Sequence, residues 1–387
     1  MNMKKLLALG LALVMVFALV ACTNNDPKPT AANPDPTAQN PDDGNTPATD
    51  LNVGVFYYNF GDNYIASVRS ALDSALESKG IKYQDYDAQN NQGTQNDAIQ
   101  TALANGANLL IVNLVTSGSP DAAQEIMRMA GDVPVIFFNR AVDSESDPDA
   151  TLKSSDKICF IGTDAPEAGH LQGKMIGDYL MANYDTVDLN GDGVISYALM
   201  KGDEANVEAI YRTQYGVEDA DAILTAAGKP ALAYFDANAS TKYQVDQQGA
   251  WSTQAAVDYM TTNLAQYNDA NGNMIELVIC NNDGMAEGVV SALNDAGYNT
   301  GSGKTIPVFG VDATEAAQLL ISEGKMTGTV KQDAEGMANA IAETAAAIGA
   351  GSAVADAVSA AASANTEMYT IAEGVSNKLY VAYAPFM

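Results

Sequence analysis

Between Asp188 and Ser196 the chain reads Asp188-Leu-Asn190-Gly-Asp192-Gly193-Val194-Ile-Ser196. Oxygen-bearing side chains fall at positions 1, 3, 5 and 9 of a loop with glycine at position 6, the front part of an EF-hand calcium loop, whose seventh ligand is a backbone carbonyl, here that of Val194. Ca²⁺ takes about six to eight oxygens, which alternate residues of a tight loop can turn inward. Position 12, where a bidentate glutamate closes such a shell, is Leu199. On the loop alone two readings stay open: a polar Asn/Asp/Gly turn, or a calcium site whose last carboxylate comes from elsewhere in the chain. Signals of catalysis are weak. His170 is the only histidine and lies in a helical run, so a histidine-dependent triad has one candidate. There is no Gly-x-Ser-x-Gly elbow, no P-loop and no Gly-x-Gly-x-x-Gly after a strand. The adjacent acids Asp203-Glu204 are commoner as solvated loop charge than as a glycosidase pair. No enzyme is expected.

The chain opens with Lys4-Lys5, an apolar run from Leu6 to Val20 and then Ala21-Cys22, which reads as a secretory signal too short to span a membrane. Leu19-Val20-Ala21-Cys22 resembles a bacterial lipobox, implying cleavage after residue 21 and a lipid on Cys22. Residues 23–50 hold six of the chain's 13 prolines and no aromatic or bulky aliphatic side chain, so a disordered tether is expected there. The formal charge of −29 excludes a nucleic-acid or acidic-membrane surface role on electrostatic grounds. Cys159 and Cys280 sit in apolar strand patterns and read as buried free thiols.

From Asn52 onward, compact apolar runs alternate with helical spacing. Val53–Tyr57, Asn108–Leu114, Val133–Phe138 and Ile158–Ile161 are followed by Ile195–Leu199, Ala231–Phe235, Glu276–Cys280 and Ile306–Val311. Continuous apolar strands between amphipathic helices imply parallel sheets covered on both faces, and the length suits two such doubly wound α/β lobes. Ligands of these sheets bind beyond the carboxyl ends of the strands. Those ends carry Asp62-Asn63-Tyr64, Asn113, Asn139-Arg140, Gly162-Thr163-Asp164, Asn281-Asn282-Asp283 and Asp312. Amides and carboxylates without a run of positive charge suit an uncharged, polyhydroxylated ligand, although single Asn and Asp residues at strand ends also cap helices and make turns.

Taken in order, Asp62-Asn63-Tyr64, Ile111-Val-Asn113-Leu, Val135–Asn139, Gly162-Thr163-Asp164 with Glu167 and Gly169, Asn281-Asn282-Asp283 and Val308–Asp312 are similar to the galactose/glucose-binding proteins of bacterial sugar import. The resemblance implies a type I periplasmic binding protein, a monomer that hands a monosaccharide to an ABC transporter permease and, in some relatives, to a chemotaxis or sensor receptor. Asp62, Asn113, Asn282 and Asp312 match sugar-binding positions, Arg212 matches an arginine donor, and Tyr64 and Trp251 match the aromatics that sandwich the pyranose. Asn206 stands where the family has histidine, Glu208 where it has aspartate, Gln332 where it has asparagine, and Tyr64 where phenylalanine is usual. Galactose or glucose is the expected ligand, with another pyranose, a pentose or a substituted sugar open. The resemblance also supplies a closing calcium ligand, Glu276, so the implied structural metal set is Asp188, Asn190, Asp192, Val194, Ser196 and Glu276. Three crossings between lobes are expected near Asn139, Val330 and Tyr369. They divide the chain into 51–138 with 331–368, and 139–330 with 369–387. The same features suit a sugar-sensing surface lipoprotein that feeds a chemotaxis or kinase system.

Overall fold

The computed structural model describes residues 50–387; the expected signal segment, Cys22 and nearly all of the expected tether lie outside the described residues. The first nine elements alternate strand and helix: β1 (Asn52–Tyr57), α1 (Asn63–Ser78), β2 (Lys82–Asp87), α2 (Gln92–Ala104), β3 (Leu109–Val112), α3 (Pro120–Ala130), β4 (Val135–Phe138), the short α4 (Ala150–Lys153) and β5 (Ile158–Gly162). The second half continues with α5 (Ala165–Val187), β6 (Ser196–Lys201), α6 (Val207–Ala226), β7 (Ala233–Tyr234), β8 (Gln244–Val245), α7 (Thr253–Gln266), β9 (Leu277–Cys280), α8 (Asp283–Asp295), β10 (Val308–Asp312), α9 (Glu315–Ser322) and β11 (Gly328–Gln332). It closes with α10 (Ala334–Gly349), α11 (Val354–Ala364), β12 (Tyr369–Ile371), β13 (Lys378–Val381) and β14 (Tyr383–Phe386).

Two seven-stranded sheets result. The first has the order β12-β13-β5-β4-β3-β1-β2, and the second β14-β11-β10-β9-β6-β7 with β8 also beside β6. Pairing is parallel except for β12 with β13 and β14 with β11. Each sheet is buried on both faces, as the continuous apolar strands require. In the first, Leu72, Ile111 and Ile341 pack on one side, and Ile99, Leu110 and Phe137 on the other. Cys159 and Cys280 are free, buried thiols, and burial pushes both above the usual thiol range.

The lobe boundaries differ from the sequence expectation. β5 pairs with β4, so the first crossing follows Gly162 and does not fall near Asn139. β11 pairs with β10, so residues 328–332 belong to the second lobe and the chain crosses at Asp333. The apolar stretch Leu379–Tyr383 is split by Ala382. β13 adds to the first sheet and β14 to the second, which places the third crossing at Ala382 rather than Tyr369. Sequence reveals a buried strand but not which of two sheets supplies its neighbours. β2 carries only one apolar side chain type, tyrosine, and escapes the apolar-run pattern because it is an edge strand.

α6 carries much of the cleft and is held against α5 at close range. Gly169, Gly173 and Gly177 recur every fourth residue on α5, and a Cβ at Gly169 would stand 2.5 Å from the Tyr211 carbonyl oxygen. Gly173→Val would wedge the helices apart against the Tyr215 carbonyl and the Asp219 side chain. Overpacking of this kind costs about 1–3 kcal/mol. Thermal unfolding should therefore show a melting temperature several degrees lower; an unaltered melting point would mean that the seam does not depend on close contact.

Candidate functional site

The carboxyl ends of both sheets face a cleft, where a cavity is lined from either side. Tyr58 and Asp62 follow β1, Tyr64 and Ile65 lie in the first turn of α1, and Asn139 and Arg140 follow β4. From the second lobe come Asn206, Glu208 and Arg212 at the start of α6, Trp251 ahead of α7, Asn282 after β9, Asp312 at the end of β10 and Gln332 at the end of β11. Nine of the ten residues expected at a sugar site thus line one cavity, and Gln332 approaches it from the opposite lobe to the one expected. The exception is Asn113. It is fully buried, accepts from the Tyr58 amide at 3.3 Å and donates to the Phe138 carbonyl at 3.1 Å, so it positions the neighbouring strand ends and does not line the cavity.

Several of these side chains have two tasks. Asp62 caps α1 with one oxygen, accepting from Ile65 at 2.8 Å, and takes the Tyr58 hydroxyl on the other at 2.6 Å. Asn206 caps α6 and Asn282 caps α8, through the amides of Ala209 and Met285. Trp251 has φ 57°, a costly value for a bulky residue, and its indole occupies space that any side chain at Gly202 would fill. It also packs against the apolar core of the other lobe.

Arg212 is buried and donates to the Asn281 carbonyl at 2.9 Å, and to Gln332 Oε1 and the Tyr383 hydroxyl, each at 3.1 Å. Burial works against its charge, but Tyr383, Asp312 and Glu208 more than offset this and hold its pKa above the ordinary arginine value. Burial pushes the Asp312 carboxyl well above the usual carboxylate range; the Asp283 charge adds to this and Arg212 opposes it. Glu208 is likewise raised by burial and held down by Arg212. The cleft also contains buried polar atoms without a protein partner: Arg140 Nε and Nη1, Glu208 Oε2, Arg212 Nε and Gln332 Nε2.

Arg140 joins the lobes. Its Nη2 pairs with Asp203 at 3.0 Å and its guanidinium lies 4.1 Å from the Tyr58 ring centre. Asn63 to Glu287, at 3.4 Å, and Asn90 to the Gln248 carbonyl, at 2.7 Å, also cross between lobes. Asn139 and Arg140 carry the strand-end signal in the sequence but are not among the ten residues expected at a sugar site. Tyr58 and Tyr383 have no comparable sequence signal.

The Asp188–Ser196 loop lies in the second lobe and turns through Gly191 and Gly193, both in the left-handed region. Asp188 accepts from the amides of Gly191 and Gly193, Asn190 from Asp192, and Asp192 from Val194. Glu276, fully buried, reaches the loop from the start of β9 and accepts from the amides of Leu189, Asn190 and Ser196 at 2.7, 3.1 and 3.0 Å. Ser196 donates its hydroxyl to the Met274 carbonyl. Among the described residues, no three acids, histidines or cysteines are gathered into a metal cluster. His170 is remote from this loop's bonding; it stacks on Tyr215 at 3.9 Å and pairs with Asp219 at 2.7 Å.

Two doubly wound lobes, three short crossings and a cleft lined from both sides define a two-lobed binding protein of the type I periplasmic class. Residues 53–353 match the periplasmic binding protein domain family, and the chain belongs to that family. It is 34% identical over 300 residues to the D-galactose/methyl-galactoside binding periplasmic protein MglB of Haemophilus influenzae, covering 76% of this chain and 81% of that protein. The fold is shared with an ABC transporter solute binding protein of Clostridium phytofermentans with bound β-D-glucose: TM-score 0.65, 19% identity, 87% of this chain and 93% of that one. It is also shared with one of Bacillus halodurans with bound myo-inositol, at TM-score 0.63 and 20% identity, covering 88% and 95%.

Asn113→Ala would strand the Tyr58 amide and remove a donor to the Phe138 carbonyl, at about 1–3 kcal/mol per buried group left unpaired. Chemical denaturation should show that loss of stability in the ligand-free protein. Wild-type stability paired with a large loss of ligand affinity would instead return Asn113 to the lining.

Proposed function

We propose that the protein captures a monosaccharide outside the cytoplasm, a hexose of the galactose or glucose type, and delivers it to an ABC transporter. One observation carries the reading. Carboxylates, amides and two arginines from both lobes converge on one cavity with buried polar atoms still unpaired, beside Tyr64 and Trp251. A sugar's hydroxyl rim satisfies such groups, and its apolar C–H faces suit flat aromatic rings. The similarity to a galactose-binding protein supports the same class of ligand, and relatives that bind solutes without transforming them support transport over catalysis. Sugar contacts made by both lobes at once stabilise the closed form, whose surface the permease reads. A chemotaxis or sensor receptor would read the same surface. With Cys22 lipidated, the body stands on the outer face of the cytoplasmic membrane.

The side-chain departures tune the choice of sugar. Glu208 and Gln332 are each one methylene longer than the family's residues, and Asn206 is shorter than histidine. Thermal-shift and calorimetric titration against a monosaccharide panel should single out one or two sugars; no response from any of them would remove this function. Trp251→Ala should weaken the selected sugar on the order of 30-fold, from roughly 2 kcal/mol of lost contact, with an unchanged circular dichroism spectrum. Unaltered affinity would take Trp251 out of the site.

Calcium is proposed for the Asp188 loop, held by Asp188, Asn190, Asp192, the Val194 carbonyl and Glu276, with Ser196 contributing through water as the ninth position often does. The ligand spacing and the reach of Glu276 support it. Bound there, the ion would neutralise acidic charge and fasten the loop to β9 within one lobe. Chelation should lower the melting temperature by several degrees and leave sugar affinity within about threefold, since binding to the folded state alone raises its stability. A large loss of sugar affinity would assign the ion to the cleft's mechanism.

A further inference from the structure

A second cavity, of about 180 Å³, is also lined by Glu208. Its walls come from both lobes, including the loop after β4 and the first turns of α5 and α6. Glu208 is the one residue that lines both cavities, and its chain neighbourhood divides between them: Arg140 lines the cleft while Ala141 lines the second cavity, and Asn206 lines the cleft while Val207 lines the second. The Glu208 side chain is buried, and its Oε2 accepts no hydrogen bond from the protein. An acceptor therefore stands unpaired between two chambers.

The second chamber has carboxylates and an aromatic ring, as the first does, without the arginines of the first. Tyr211 supplies a flat ring, Tyr380 lies under the Lys378 ammonium at 5.1 Å, Phe160 closes the wall from the core, and Glu145, Asp149 and Asp164 supply carboxylates that accept from hydroxyls. Lys378 is the only basic residue in its lining, and it is bonded to Asp149 at 2.9 Å. A negatively charged group would meet acids and no free cation there; an uncharged ring with hydroxyls meets acceptors and an aromatic face. We propose that this chamber is a subsite for a second sugar ring, so that the protein takes a disaccharide whose first ring fills the cleft and whose glycosidic link passes Glu208. The proposal rests on the reading of the cleft as a sugar site. A hydroxyl beside the link would donate to Glu208 Oε2, the unpaired acceptor of the one residue that lines both cavities.

The test is calorimetric titration of the full chain with galactose, glucose, lactose, melibiose, cellobiose and maltose. At least one disaccharide should bind about tenfold more tightly than either of its component monosaccharides. Ser144→Trp, which narrows the second chamber from a half-buried loop position, should remove that advantage and leave monosaccharide affinity within threefold. Tyr211→Ala should do the same by removing a ring, and it carries the test if the larger substitution does not fold. If monosaccharides bind and no disaccharide binds more tightly, or if both variants weaken the two classes equally, the subsite is overturned and the cleft reading stands. If no sugar of either class binds, both fall together.

Discussion

The structure depends on keeping the charge of Arg212 in a place that water does not reach. An ion taken out of water costs several kcal/mol unless acceptors surround it. The acceptors supplied here come from three different parts of the chain: the Asn281 carbonyl at the end of β9, Gln332 at the end of β11 and Tyr383 at the start of β14. Tyr383 in turn shares a hydrogen bond of 2.8 Å with Thr163. Thr163, Gln332 and Tyr383 flank the three crossings between lobes. One buried guanidinium therefore holds the hinge together, while its Nε remains unpaired beside the cleft. The lining of the cleft and the geometry of the crossings thus share one side chain.

The cleft is economical with its polar side chains. Asp62, Asn206 and Asn282 are helix caps, and each also lines the cavity. A carboxylate or amide has more hydrogen-bonding capacity than one cap consumes, so capping a helix leaves each of these three with capacity that faces the cavity. The doubly wound fold brings this about by starting a helix wherever a strand stops. Capping fixes the orientation of a side chain that lines the cavity.

The sequence made the two-lobed α/β architecture legible because buried parallel strands are written as continuous apolar runs, and β1, β3, β4 and β9 stand out on that ground. Sheet membership was not legible. β5 is apolar enough for either sheet, and the stretch around Ala382 gives no local sign that it serves both. For the same reason Gln332, expected in the first lobe, belongs to the second and lines the cavity from there. Asn113 shows a different gap. A polar residue at a strand end satisfies buried backbone as readily as ligand, and only the neighbouring amide and carbonyl decide between them. Arg140 was visible as a strand-end residue, but its role in joining the lobes depends on Asp203, which lies far along the chain.

The brevity of the crossings limits how the lobes can move. The first link is Thr163-Asp164, the second Asp333 alone and the third Ala382 alone. Links so short hold only a few adjustable dihedral angles, and none can lengthen. Rotation about a line through them remains available, whereas sliding of one lobe along the other would have to stretch all three. The two halves of the cleft therefore stay in register as the angle between them changes, and a ligand that first meets one half is carried towards the same opposing groups at every closure.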